Sequence, residues 1–330
     1  MRVSLTRSRD DFPLSLRALT ERYVSRVTEG DVCIVGSERW AMAGNVSPEV
    51  RRRRLAAELR RLRGESGLKT TEVARQLGWS PSKVSRYELA RTGLKPSDVR
   101  EMLAFYGVES RRQNDLLALA VEASERGWWE DYSDVQSENH ISLVGLEDEA
   151  TAEWAWHLEV IPGLLQTEGY ARRLMSKGYS LAPVPPSQID RSIKLRMRRQ
   201  EVLTRNPPLE LSAVIDEAVL RRRVGSPEVM RNQLNHLIEV AQLPNVSLRV
   251  LRLDEESPAM INSFDVLRFG DQGTRVPDVA YTEHFRATLH FEDETDVYQY
   301  SILFQMLQEA ALSESQSLRF IEQIISEVWT

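Results

Sequence analysis

From residue 50 onward the apolar residues recur at helical spacing. Leu55, Leu59 and Leu62 share one face and predict a helix over about 50–65 that Gly67 stops. Short helices follow at about 70–77, 81–89 and 96–106, the last opened by Pro96 and ended by Gly107. The run SRRQNDLLALAVEASER carries a longer helix to about residue 126. Past GWWEDY the period changes. EWAWHLEV (153–160) alternates large apolar residues with others, as a half-buried strand does. LELSAVI, VSLRVLRL, SFDVLRFG and DVAYTE predict further strands, with helices between them at about 168–177, 187–204 and 226–241. Two helices, about 294–311 and 314–328, close the chain. Helices and strands interleave, and the Pro and Gly turns point to several antiparallel pairings. An α+β domain fits this better than a strict βαβ repeat. Residues 1–42 show no clear domain; SLRALTERYVSRV reads as one amphipathic helix, and Met42 is a natural translation start.

The spacing over 70–89 is more specific. Ala74 sits in mid-helix, Gly78 follows four residues later, Val84 six after that, and Tyr87 three further. Two short helices that cross tightly need a small residue at the crossing and a glycine for the left-handed turn. Val73, Leu77, Trp79, Val84 and Tyr87 then meet in one small core, with Ser80 as N-cap and Pro81 at the first helical position. Those inward positions turn Ser82, Lys83, Ser85 and Arg86 outward. This is a helix-turn-helix, whose second helix enters the major groove of DNA at its start. Arg86 suits a guanine edge, and the serines, Ser80 among them, suit bases or phosphates. Thr70 and Thr71 open the preceding helix, where free backbone N–H groups suit a phosphate. Arg91 and Lys95 in the next loop are expected to touch the DNA backbone. Any one of these residues is equally well a solvated polar group; their joint pattern carries the reading.

Charge sharpens it. The 330 residues carry a net charge of −6, which at first argues against a nucleic-acid partner. Yet residues 43–112 hold 16 Lys and Arg against 8 Asp and Glu, while residues 113–330 hold 20 against 35. A basic module precedes an acidic body, so contact with phosphate falls to the basic module. Apolar residues make up 42%, enough for a real core. One cysteine, Cys33, forbids a disulfide within the chain and suits the cytoplasm. No apolar run approaches the roughly 20 residues needed to cross a bilayer, and the N-terminus does not read as a secretory signal.

The stretch LRRLRGESGLKTTEVARQLGWSPSKVSRYELARTGLKPSDVREMLAFYGV resembles the Xre/Cro-repressor type of helix-turn-helix, a lambda-repressor-like fold of five helices. By that resemblance Arg63 ion-pairs with Glu88, tying the first helix to the recognition helix. Many members carry Gln at the start of the second helix and at recognition positions. This chain has Thr70, Pro81 and Ser82 there, so the resemblance implies no particular operator.

The body resembles a second family through GWWEDY, EVIPGLLQTEGYARRLM, RMRRQEVL, VIDEAVLRRRVG and LPNVSLRVLR. It is a domain of unknown function that follows Xre-type helices in many actinobacterial regulators and has been labelled antitoxin-like. The resemblance implies a small partner protein, often encoded next door, and supplies no catalytic site. Read from the residues, these motifs are structural. Pro162-Gly163 is a turn, Thr167 a helix cap, and Leu164, Leu165 and Tyr170 are core. Arg191, Lys194 and Arg198 share a solvated or ion-paired helix face. Asp216 and Glu217 with Arg221 to Arg223 form either a salt-bridged turn, the preferred reading, or part of a polar ligand pocket.

No H-E-x-x-H, G-x-S-x-G, P-loop or G-x-G-x-x-G occurs, and the five histidines make no close metal pair. His284 and His290, with Glu283 and Glu292 near, are either ligands on a strand pair or, the preferred reading, exposed polar residues. We expect no cofactor, no metal and no enzyme. The expected organisation is a poorly defined extension over 1–45, a helix-turn-helix domain over 46–110, a linking helix over 111–126 and an α+β regulatory or partner-binding domain over 127–330. The expected partners are double-stranded DNA, a second copy of the chain, with half-sites about 34 Å apart, and a small protein, but no membrane. Two rival classes stay open. One is an antitoxin-like protein whose main role is partner binding. The other is a DNA-targeted enzyme, which a deep pocket of converging carboxylates and histidines would favour.

Overall fold

The computed structural model describes residues 48–90, 92–177, 184–258, 261–270, 277–284 and 287–330. The readings made above on residues 1–45 and on Arg91 lie outside them.

Five helices come first: α1 (Pro48–Glu65), α2 (Thr70–Leu77), α3 (Pro81–Glu88), α4 (Pro96–Phe105) and α5 (Ser110–Glu122). Their apolar faces close on one core in which Leu55, Leu59, Val73, Val84, Val99 and Met102 are fully buried. The helix expected to link the two halves is shorter than its sequence run. It packs Ala120, Leu116 and Leu117 into this same core. Each turn has a local cause. Gly78 adopts φ 67°, and its N–H and that of Trp79 reach back to the carbonyls of Arg75 and Ala74, closing α2 with a left-handed cap. Ser80 then caps α3 by accepting from the Lys83 backbone N–H at 3.2 Å.

A short 3-10 turn (Trp128–Tyr132) and α6 (Glu138–Glu147) lead into a six-stranded sheet. Its strands are β1 (Ala152–His157), β2 (Glu210–Asp216), β3 (Val246–Leu251), β4 (Phe264–Arg268), β5 (Val279–His284) and β6 (Ala287–Phe291), in the order β3-β2-β1-β4-β5-β6. The sheet is mixed. β1, β2 and β3 run parallel, joined by α7 (Glu168–Lys177) with α8 (Pro186–Arg199), then α9 (Glu217–Arg221) with α10 (Pro227–Val240). β4, β5 and β6 add on antiparallel from β1 outward. The α+β domain holds, but half of its sheet is built by helical crossovers rather than by the antiparallel pairings that the turns pointed to.

Helices cover both faces. On one, Ala155, Ala213, Ile215, Leu248 and Leu267 pack against residues of α7, α10 and the last helix, α12 (Glu314–Val328). On the other, Trp156, Val214, Phe264 and Val266 meet Phe304 and Leu307 of α11 (Glu294–Ala310). Coverage of both faces overturns the half-buried reading of β1: Glu153, a polar member of the alternation, is buried. The first helical domain and the body also touch. Arg53 of α1 is buried, ion-pairs with Glu292, donates to Ser142 Oγ of α6 at 3.1 Å, and lies 3.3 Å from His290 Nδ1 of β6.

Candidate functional site

The recognition helix, α3, is held from beneath on three points. Val84 is fully buried among the core side chains. Tyr87 packs edge-on to Trp79, with ring centroids 6.0 Å apart, and donates to Asp98 Oδ2 at 2.5 Å. Burial and the Asp98 carboxylate push the Tyr87 phenol up to about 12, so it remains a donor. At the C-terminal end Arg63 Nε lies 2.7 Å from Glu88 Oε1, while Arg63 Nη1 donates to the Leu68 carbonyl at 2.9 Å. Glu88 lies almost wholly inside, and its carboxylate holds the Arg63 guanidinium above its ordinary value. One side chain thus ties α1 to the α1–α2 turn and to α3 together.

The opposite side of α3 is open. Ser80, Pro81, Ser82 and Arg86 are exposed, and Ser85 is half-buried. Thr71 is exposed and Thr70 half-buried at the start of α2, and Lys95 is exposed ahead of α4. Arg86 makes no ion pair among the described residues. Lys83 is placed differently. Its ammonium lies 2.7 Å from Asp98 Oδ2 and 3.6 Å from the centroid of the Trp79 ring, so it braces α3 against α4 as much as it faces outward. These residues offer a guanidinium, hydroxyls and a helix N-terminus on one face, the groups that meet base edges and phosphates.

The body contains a cavity of about 440 Å³ on the α6 and α8 side of the sheet. Its polar wall draws on five elements, and sequence reasoning found none of it. Arg199 of α8 donates Nε to Glu147 Oε2 of α6 at 2.7 Å, with Nη2 on the other carboxylate oxygen, and its Nη1 lies 3.2 Å from His140 Nε2. His157 Nε2 of β1 lies 2.9 Å from Asp265 Oδ1 of β4. Arg196 donates to Gln166 Oε1 at 2.6 Å. Glu153 of β1 completes the wall, with Tyr281 and Glu283 of β5 beside it.

Burial sets the charge states. It drives His140 well below its ordinary value, helped by the Arg199 charge, and so keeps that imidazole neutral. Burial also works against a charged His157, but the Asp265 carboxylate outweighs it and raises that histidine. Burial lifts Glu153 well above the usual carboxylate range, and the Glu147 and Asp265 charges add to the effect. Among the described residues no group of three His, Cys, Asp or Glu is disposed to hold a metal ion.

The other motifs of the body are structural. Leu165 and Tyr170 are buried, Leu164 is buried with one side on the cavity, and Thr167 Oγ1 accepts from the Tyr170 N–H at 3.3 Å. Asp216 caps α9 and Glu217 pairs with Arg221 at 2.6 Å. Arg191 pairs with Asp134 at 2.8 Å, and Arg198 lies over the Trp128 ring. No described helix is long and apolar enough to cross a membrane.

Comparison with protein families gives two matches. Residues 54–117 match a helix-turn-helix domain, a span that runs from α1 into α5. Residues 141–323 match a domain described as Domain of unknown function (DUF5753), and this span takes in the whole sheet. Neither the curated proteins nor the solved structures give a match.

Proposed function

The chain belongs to the DUF5753 family, whose domain here follows a helix-turn-helix, and we propose that it is a sequence-specific DNA-binding transcription regulator of the Xre type. The open face of α3 carries the reading. Its inner side is anchored through Val84, Tyr87 and Glu88, while Arg86, Ser82 and the start of the helix stay exposed. Such a helix is rigid, accessible and armed with a bidentate donor, which is what major-groove readout needs. The basic balance of residues 43–112 against the acidic body supports the same assignment.

In this reading Arg86 reads a base, Ser80, Ser82, Ser85, Thr70 and Thr71 meet phosphates or base edges, and Lys95 meets the backbone. The protein acts in the cytoplasm as a dimer on paired half-sites. Its body receives a small partner protein or an effector, as its antitoxin-like resemblance implies. The cavity brings together carboxylates and histidines, the feature that favours an enzyme; we read the body as working by binding rather than by turnover, because Glu147 is engaged by Arg199 and Asp265 by His157.

The test is to incubate the purified full chain with fragmented genomic DNA in dilute buffer and sequence what it retains. A shared, two-fold symmetric motif is expected. Retention without any common motif, or no retention, refutes sequence-specific binding. Light scattering with and without the recovered site checks the dimer: one-chain mass in both conditions refutes it. Co-purification of a small protein encoded beside it tests the partner.

A further inference from the structure

No residue lining the cavity in the body belongs to the helix-turn-helix, and its wall is unusual for a protein core. Most of its buried charges pair off, Glu147 with Arg199 and Asp265 with His157. Glu153 does not. Its side chain sits near the start of the central strand β1 and is only 3% exposed, yet its Oε2 has no hydrogen-bond partner among the described residues. Burying a carboxyl without a partner costs several kcal/mol or else forces it to hold a proton. The same face of the sheet places Ala155, Ala213 and Leu267 nearby, so a small apolar residue would fit the fold at lower cost. A polar group kept at a loss inside a cavity marks a binding position.

The charge balance defines what fits. Four carboxyl groups, Glu147, Glu153, Asp265 and Glu283, line the cavity against two guanidinium groups, Arg196 and Arg199. Burial keeps a proton on Glu153 and Asp265 raises His157, so the charges of the cavity come close to balance, and the ionised form of Glu153 is the one charge left for a ligand to neutralise. Apolar side chains of Leu143, Val160, Ile161, Leu164, Met175 and Ile189 share the rest of the wall with the polar His140, Gln166, Ser192 and Tyr281. An anion would gain little there, because Arg199 and His157 are already engaged by carboxylates and the protonated Glu153 offers no charge. A compact cation with N–H donors would ionise Glu153 and bond to it, while a hydrocarbon body lay along the apolar wall.

We propose that this cavity binds a small organic ammonium compound, with a protonated amine head on Glu153 and an apolar body of a few carbons. Its volume of about 440 Å³ lies within the ordinary range for small-ligand sites, about 300–1,000 Å³. The site also reaches the DNA-binding domain. Helix α6 turns His140, Leu143 and Glu147 to the cavity and Ser142 to Arg53 of α1. The assignment rests on reading the body as a binding module and specifies its effector.

The test is isothermal titration calorimetry of the full chain at neutral pH with three probes that share one hydrocarbon body: hexylammonium chloride, 1-hexanol and sodium hexanoate. Hexylammonium is expected to give saturable one-site binding. Hexanol, which lacks the charge, should bind at least about tenfold more weakly, and hexanoate not at all. Glu153→Gln keeps the shape, removes the charge and should weaken hexylammonium by about ten- to a hundredfold. Glu168→Gln, on the exposed side of α7, should bind as the unaltered chain does. Absence of saturable hexylammonium binding, hexanoate binding as tight, or unchanged affinity in Glu153→Gln overturns the proposal. The three-probe comparison needs no variant, so it decides the matter even where Glu153→Gln folds poorly. DNA retention is measured separately: a chain that retains DNA but ignores hexylammonium loses this assignment and keeps the regulator reading.

Discussion

Arg63→Met isolates the contact that fixes the pose of the recognition helix. The Glu88 side chain is 4% exposed and that of Arg63 19%, and their closest atoms are 2.7 Å apart. Methionine fills much of the Arg63 volume but leaves the Glu88 carboxylate inside the core without its counter-charge. Removing one partner of a buried pair costs about 3–5 kcal/mol. The partial exposure of Arg63 lets water approach the orphaned carboxylate, which places the cost near the lower bound, about 3 kcal/mol. The bond to the Leu68 carbonyl disappears at the same time, but that carbonyl is at a turn where water can replace the guanidinium. Against a typical domain stability of about 5–15 kcal/mol, such a loss is severe. Urea unfolding followed by circular dichroism gives the total. Hydrogen exchange then locates it, and the amides of α1, α2 and α3 should lose protection while those of the sheet keep theirs. The double variant Arg63→Met with Glu88→Leu should recover much of the loss, because no charge is left buried. A single-variant cost below about 1 kcal/mol, the size of a surface pair, would refute the reasoning. So would a double variant as unstable as the single.

Four further outcomes follow from the same geometry. Arg86→Ala should cost about 1–3 kcal/mol of DNA affinity and relax preference at one base position, read by competition binding with substituted operators; unaltered preference removes Arg86 from readout. Lys95→Ala should reduce the slope of log affinity against log salt by about one, while Lys83→Ala, whose ammonium is committed to Asp98 and Trp79, should leave the slope nearly unchanged; equal slopes for both contradict that placement. Glu153→Gln should raise stability at neutral pH. The folded protein holds the Glu153 proton well above the usual range, so it binds more protons there than the unfolded chain, and its stability falls as pH rises from the ordinary glutamate value of about 4.3 through the folded one. The variant lacks that decline and should match the unaltered chain only in acid; Glu147, His140, His157, Arg196, Arg199, Asp265 and Tyr281 face the site in both proteins, so the difference between melts across pH isolates Glu153. Arg53→Ala removes the link from α1 to α6 and β6, and should speed proteolytic cleavage between the helical domain and the body; equal cleavage rates would show that the contact does not hold them.

Much of the fold was legible because its signals are local. The four helices from α1 to α4 follow from apolar spacing and from Gly67, Gly78, Ser80, Pro81 and Pro96, each of which acts on its own neighbours. The strand runs fell on β1 to β5. Helix α6 and strand β6 were missed. ENHISLVGLE is short, and its apolar Ile141, Leu143, Val144 and Leu146 do not share one helical face, since α6 is wedged between α1 and the body and is buried on several sides. β6 is five residues long and gives too few positions for alternation to register.

The sequence by itself determined that two short helices cross at Ala74, turn at Gly78 and leave Arg86 outward, because backbone conformation, capping and side-chain direction are decided within a few residues. Only the tertiary structure decided the strand order, the covering of both faces of β1 and the cavity. Glu147, Glu153, Asp265 and Arg199 belong to four separate elements, and nothing short-range in the chain marks Glu153 as different from any solvent-facing glutamate in an alternating strand. Its burial arises when α6 and α8 close over a sheet whose other face is already occupied by α11, and that is a property of packing rather than of any one stretch of sequence.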